Sequence, residues 1–241
     1  MNNVKIFPIF NQAAPQVWDD FLRIRAVVMK HNYNLEMTSH ELNAALDTLK
    51  NDWKYATWNF AFGAYDNNEM IGYICGTCDS KGKTAYFNHL YVMPNYQGKS
   101  IGRQLLNAAE SAASVYATES ELISLGNAYG FYDKNKYESR NKTNIYNKSL
   151  KNIGKCQVIP VFHAKPSMLT KLNRISQNIN LTKQAINKEH QPVFIYKDIN
   201  QKITGYAFQN NAHSVSGRAD DWAKTQLIKK LNAYLEHQNT R

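Results

Sequence analysis

The chain has 241 residues, 43% of them hydrophobic and 20% charged, with a formal net charge of +10. That composition fits a globular protein of one large domain or two small ones. No run approaches the ~20 apolar residues that cross a bilayer, the first residues lack the apolar stretch of a signal peptide, and three cysteines do not make a disulfide framework; a cytoplasmic protein with no membrane attachment and no bound metal is expected.

The charge is unevenly placed. Residues 1–150 hold 15 Lys+Arg and 14 Asp+Glu, a net of +1, whereas residues 151–241 hold 14 and 5, a net of +9. A boundary near 150 is expected, with a basic second part of residues 151–241 that raises the question of an anionic partner.

Residues 4–10 alternate loosely and read as a first strand. Pro15 opens a helix to about residue 31, with Val17, Phe21, Ile24 and Val28 on one face. Thr38 followed by Glu41 is a capping-box pattern for a second helix to about residue 55. Residues 59–66 and 70–77 read as strands joined by the turn Asp66-Asn67-Asn68-Glu69. A fourth strand covers 84–93, and Ile101, Leu105 and Ala108 then recur at helical spacing. A fifth strand over 121–125, a short helix over 127–136 and a last strand within 137–147 complete this part. The paired cysteines Cys75 and Cys78 have the spacing of a zinc half-site, but no second pair exists and the metal reading fails.

The connection after the fourth strand is the most informative stretch. Pro94 ends the strand because it has no N–H for the ladder. Gly98 and Gly102 allow a tight turn and close approach to another group. A loop of this kind opening a helix presents free N–H groups and the positive end of the helix dipole, which suits phosphate. It is neither the nucleotide P-loop pattern nor the dinucleotide fingerprint.

Gln97-Gly98-Lys99-Ser100-Ile101-Gly102, preceded by Val92-x-Pro94, resembles the Q/R-x-x-G-x-G/A signature of the GNAT N-acetyltransferase superfamily, with Ser100 where the family has its middle glycine. The segment from Asn127 to Tyr137 resembles the family's Asn-Ala-x-x-x-Tyr-x-Lys-x-Gly-Phe landmark, with Asn135-Lys136-Tyr137 in place of x-Gly-Phe. The left-handed turn usually filled by that glycine falls on Lys136 or moves onto Asn135. The resemblance covers about residues 3–148. It implies an α/β (α+β) GNAT fold: a mixed, mostly antiparallel sheet flanked by helices and opened between its fourth and fifth strands.

The resemblance also implies a chemistry and a set of residues. Acetyl-CoA would be the acetyl donor and an amine the acceptor, in direct attack. The backbone of Leu90, Tyr91 and Val92 would hold the pantetheine arm, with the Val92 N–H stabilising the oxyanion. The N–H groups of Gln97, Gly98, Lys99, Ser100, Ile101 and Gly102 would take the pyrophosphate, with Lys99 and Arg103 adding charge. Asn127 would bond the pantetheine arm or a water. Tyr132, a phenol that keeps its proton at neutral pH, would be the general acid. The base is unassigned: strict alternation puts His89 on the face opposite Leu90 and Val92, with Asn88 beside them. Tyr33, Trp53, Tyr55 and Trp58 are candidates for the acceptor pocket or for core packing.

The second part contains an internal echo. Gln157-Val158-Ile159-Pro160-Val161-Phe162 parallels Lys5-Ile6-Phe7-Pro8-Ile9-Phe10, each followed by a proline-opened helix, at Pro166 and Pro15. A hairpin over 194–206 and a final helix over about 219–237 follow. This is a smaller α/β unit, readable as a degenerate GNAT-like half without the phosphate loop. Two function classes remain: an acetyl-CoA-dependent N-acetyltransferase acting on a small-molecule or peptide amine, and a non-catalytic acyl-CoA-, nucleic-acid- or protein-binding module using the basic second part. That part has no recognisable nucleic-acid motif. A homodimer is left open.

Overall fold

The computed structural model describes residues 4–10, 14–55, 58–79, 83–151, 153, 157–162, 168–172, 192–198, 200, 202–211, 214–218 and 221–240. The chain divides into two compact units, Met1–Lys151 and Asn152–Arg241.

In the first unit, Pro15 is the first residue of α1 (Pro15–Tyr33), which ends where Asn34 turns left-handed at φ 52° and donates its N–H to the Met29 carbonyl. The apolar stripe read from the sequence is the buried face: Val17, Phe21, Ile24 and Val28. The Phe21 ring stacks on Tyr73 of the sheet at 3.9 Å, and each such side chain contributes roughly 1.5–3 kcal/mol by leaving water. The capping box closes in front of α2 (Ser39–Tyr55): the Thr38 N–H donates to the Glu41 carboxylate at 2.8 Å and the Glu41 N–H donates back to Thr38 Oγ1 at 3.3 Å.

The sheet is built from β1 (Lys5–Pro8), β2 (Trp58–Asp66), β3 (Glu69–Cys78), β4 (Thr84–Val92), β5 (Glu119–Ile123), β6 (Glu138–Ser139) and β7 (Ile145–Ser149), in the order β1-β2-β3-β4-β5-β7-β6. Only β4 and β5 run parallel. The β2–β3 turn sits on Asn67 and Asn68, both at positive φ (48° and 68°). That is the hairpin geometry whose twist matches the strands. Helices α3 (Ile101–Ala113) and α4 (Tyr129–Lys134) follow β4 and β5. Adjacent residues of β4 show that helices cover both faces: Tyr91 lies under Arg25 of α1, while Val92 is the side chain nearest Gly102 of α3 after Phe131. A buried ion pair ties the two halves of the unit, with Lys148 Nζ of β7 2.7 Å from the Glu110 carboxylate of α3. This is the mixed, mostly antiparallel α/β fold expected from the sequence.

The β3–β4 ladder departs from regular pairing. Cys75 faces His89 and Gly76 faces Phe87, so Asn88 is an extra residue with no partner opposite. A bulge of this kind bends its strand and increases the twist. Pairing of β4 with β5 runs from Thr84↔Glu119 to Phe87↔Leu122 and stops there. Beyond it β5 continues against β7, with Ile123 opposite Ile145. Residues 89–92 of β4 therefore keep β3 on one side and, among the described residues, have no strand on the other. The bulge also breaks the strict alternation on which the sequence reading of Asn88 rested.

The second unit is a four-stranded antiparallel sheet of β8 (Gln157–Val161), β9 (Val193–Lys197), β10 (Ile203–Asn211) and β11 (Ser214–Arg218), in the order β11-β10-β9-β8. Residues 168–172 are helical; Pro166 lies outside the described residues. Helix α5 (Asp221–Asn239) buries Leu227, Leu231 and Tyr234. Pro160 pairs with Phe194, and Phe194 with Ala207, just as Pro8 pairs with Phe62 and Phe62 with Ile74. The strand β11 was not expected from the sequence. Its residues Ser-Val-Ser-Gly-Arg hold one apolar side chain, too few to show alternation.

Candidate functional site

The candidate site is the opening between β4 and β5. The Met93 N–H donates to the Ile71 carbonyl of β3 at 2.8 Å. Backbone groups of successive strand residues point to opposite sides, so the N–H and carbonyl of Val92 are directed away from β3, into the opening. The Val92 carbonyl accepts a hydrogen bond from Gln97 Nε2 at 2.9 Å. Across the opening, Ile123 and Leu125 are 66% and 48% exposed and Tyr129 is 42% exposed. Clustered exposed apolar side chains mark a ligand or partner surface. The sequence reading did not assign these three, because an apolar residue at a strand end looks the same whether it is buried or not.

The phosphate-loop candidate lies at one end. A 3-10 turn over Pro94–Tyr96 leads into exposed residues 97–100. The first helical bond of α3 runs from the Gln104 N–H to the Ser100 carbonyl at 3.1 Å, so the amides of Ile101, Gly102 and Arg103 precede it at the helix N-terminus. No side chain caps this end. Gly98 is at φ +74°, and a Cβ built on it would meet nothing within 4 Å. The Lys99 ammonium lies 5.2 Å from the Tyr96 ring centre, and Arg103 is exposed.

At α4 stands Tyr132, 9% exposed, packed edge-on against Phe131 and Tyr137 with ring centres at 5.1 and 5.8 Å. Burial pushes its phenol up to about 12, and the nearby hydroxyls of Tyr33 and Tyr91 add to the shift. It stays protonated at any working pH. The neighbouring Phe131 ring lies 3.5 Å from the Cβ position of Gly102, so α4 stands beside the loop. Asn127 is in the 3-10 turn Gly126–Ala128 before α4; its side chain lies outside the described residues. So do the side chains of Trp53, Tyr55 and Trp58.

His89 and Tyr91 occupy the α1 face of β4, with their rings stacked at 6.1 Å. Burial, helped by the positive charge of Arg25, pulls the His89 imidazole down to about 4. The histidine is thus neutral at pH 7. The unfolded chain takes up this proton first as pH falls, so the stability contribution is complete above the ordinary histidine value and is lost between it and about 4. The loss reaches about 3 kcal/mol. Urea denaturation at about pH 7 and about pH 4 should show this fall in the wild type and a smaller one in His89→Gln; equal falls would contradict it.

Residues 57–139 match the family profile described as an acetyltransferase (GNAT) domain. That match lies within the first unit. Two solved structures share its fold. The PaiA N-acetyltransferase of Thermoplasma acidophilum, solved in complex with coenzyme A, is 18% identical; the alignment spans 61% of this chain and 99% of that one, with a TM-score of 0.50. A GNAT-family acetyltransferase of Staphylococcus aureus Mu50 is 15% identical over the same shares, also with a TM-score of 0.50. No curated protein matches the chain.

The first unit departs from the GNAT signature it resembles at Ser100 and Lys136, and both residues are left-handed, at φ 62° and 65°. Asn135 is at φ −95°, so Lys136 takes the turn. The backbone thus keeps the glycine conformation without the glycine, at a cost of roughly 1–2 kcal/mol per residue. Lys136→Gly should relieve that strain, offset in part by the greater freedom of glycine in the unfolded chain, and stabilise by up to about 1 kcal/mol in urea denaturation. A destabilised variant would mean that the Lys136 side chain makes a contact worth more than the strain.

Proposed function

We propose that the chain is an acetyl-CoA-dependent N-acetyltransferase that acetylates a primary amine of a small molecule or peptide by direct attack in a ternary complex. The observation that carries this reading is the β4–β5 opening with the Val92 N–H directed into it. Helix N-terminal amides at one end and a protonated, buried Tyr132 beside it support the reading. Acetyl-CoA, when bound, supplies an activated acyl carbon. The Val92 N–H then meets the negative charge that develops on the thioester carbonyl oxygen. The backbone of Leu90 and Val92 holds the pantetheine arm as an added strand, with Tyr91 between them. The amides from Gln97 to Gly102 take the pyrophosphate, with Lys99 and Arg103 adding charge, and Asn127 bonds the arm or a water. Tyr132 gives its proton to the departing thiolate. His89, held neutral far below the amine's range, is a poor acceptor for the ammonium proton, and water takes it.

The second unit reads as a truncated GNAT-like half. Its strand order and register parallel β1 to β4, but α5 begins at Asp221, three residues past the end of β11 at Arg218, which leaves no length for a phosphate loop. Titration calorimetry on the full chain should therefore find one acetyl-CoA per chain. Two sites, or none, would contradict this division of labour.

A further inference from the structure

We infer that the acceptor carries a carboxylate beside its amine, and that Arg25 of α1 holds that carboxylate: the substrate class is an amino acid. The inference rests on the acetyltransferase reading and adds the acceptor to it.

Arg25 Nε is buried and has no hydrogen-bond partner. Its guanidinium carbon lies 6.0 Å from the centre of the Tyr91 ring. A buried charged donor left unpaired is costly and rare. Four carboxylates on α1, the segment after it and the β2–β3 hairpin bond to other groups. Asp20 and Glu69 pair with Arg23, each at 3.1 Å, Glu36 pairs with Lys30 at 2.7 Å, and Asp66 accepts the Tyr96 hydroxyl at 2.9 Å. None of the ion pairs among the described residues includes Arg25. Its positive charge instead bears on His89, Tyr73 and Tyr91.

Position makes this unpaired donor a matter of substrate recognition. Tyr91 stands between Leu90 and Val92, whose backbone lines the opening. Arg25 lies over the Tyr91 ring on the α1 face, where its charge also bears on His89. Tyr33, the last residue of α1, and Tyr132 bear electrostatically on one another, and Tyr91 on both. In this inference the remaining groups of an amine that reacts at Val92 lie on this α1 face. A polyamine there would meet the positive charge of Arg25, which no ion pair among the described residues neutralises. An amine with a neutral substituent would leave Nε unsatisfied. A carboxylate satisfies it through charge-assisted hydrogen bonds, and the planar guanidinium matches a carboxylate's two oxygens.

The test uses the full chain with acetyl-CoA and matched acceptors, the common L-amino acids and their primary amides, read as release of the CoA thiol. Amidation lowers the pKa of the neighbouring amine, so an unselective site favours the amide. The inference expects the reverse: at least one amino acid with kcat/KM ~10-fold or more above its amide. Arg25→Gln, which keeps much of the stem's packing, should lower that value ~10–100-fold through the acceptor KM and leave the amide and the acetyl-CoA KM unchanged. Arg25→Lys, with charge but no fork, should fall between. If no amino acid outperforms its amide, or if Arg25→Gln lowers both alike, the inference is wrong. Calorimetry with acetyl-CoA on the same preparations separates the two levels. A wild type that binds acetyl-CoA but shows no preference for the acid overturns only the acceptor class, whereas one that does not bind it overturns the acetyltransferase reading.

Discussion

Gly98→Glu should abolish acetyl-CoA binding while leaving the fold intact. Gly98 is exposed, and its Cβ position is free of neighbours within 4 Å, so the new side chain meets no protein atom at its root. The cost to the fold is the left-handed backbone at φ +74°, roughly 1–2 kcal/mol for any L-residue. The cost to the ligand is far larger. A carboxylate would stand among the amides at the N-terminus of α3, where the dipole and the free N–H groups favour an anion, and it would repel the pyrophosphate while filling its space. Gly98→Ala shares the backbone strain without the charge and serves as the control. Calorimetry should give near-normal binding for Ala and no measurable heat for Glu, with both variants showing cooperative unfolding. Binding by Gly98→Glu within a few-fold of wild type would remove the loop as the phosphate site.

Tyr132→Phe should lower kcat by ~10²-fold or more, the usual range for a positioned proton donor, with little change in the acetyl-CoA KM. Phenylalanine keeps the edge-on contacts with Phe131 and Tyr137 and the tilted contact with Tyr146, whose ring centre is 5.9 Å away. Only the hydroxyl is lost. Because burial holds the wild-type phenol near 12, Tyr132 carries its proton across the whole working range and imposes no alkaline limb of its own below that value. The leaving thiolate needs the proton less as pH approaches the thiol's reference value of ~8.5. The gap between wild type and variant should therefore narrow as pH rises. A variant with wild-type kcat at pH 7 would take Tyr132 out of the chemistry and leave solvent as the proton source.

Much of this site is local in sequence and was therefore legible there. The strand end at Val92-x-Pro94, the two glycines of the loop and the helical spacing of Ile101 and Leu105 are set by neighbours in the chain. So is the capping box of Thr38 and Glu41. What was not legible depends on residues far apart. The bulge at Asn88 is defined by the pairing of β4 with β3 and has no signature in its own residues. Ile123, Leu125 and Tyr129 are informative only because β4 ends its pairing with β5 at Phe87. Arg25 reads from sequence as one more solvated charge on an amphipathic helix. Only the fold shows that its Nε is buried without a partner while Arg23, two residues away, collects the carboxylates. Ser100 and Lys136 show the converse. The sequence departs from the family's glycines there, yet both residues hold the left-handed backbone that favours glycine.

The most direct test of the account is release of the CoA thiol from acetyl-CoA by the full chain, measured across amines, amino acids, amino-acid amides and peptides, with Gly98→Glu run in parallel. The account predicts acceptor-dependent release by the wild type, with the acetyl group recovered on the amine by mass spectrometry, and no release above background by Gly98→Glu. Acetyl-CoA that binds to the wild type but is turned over with no acceptor, or release that persists unchanged in Gly98→Glu, would contradict it.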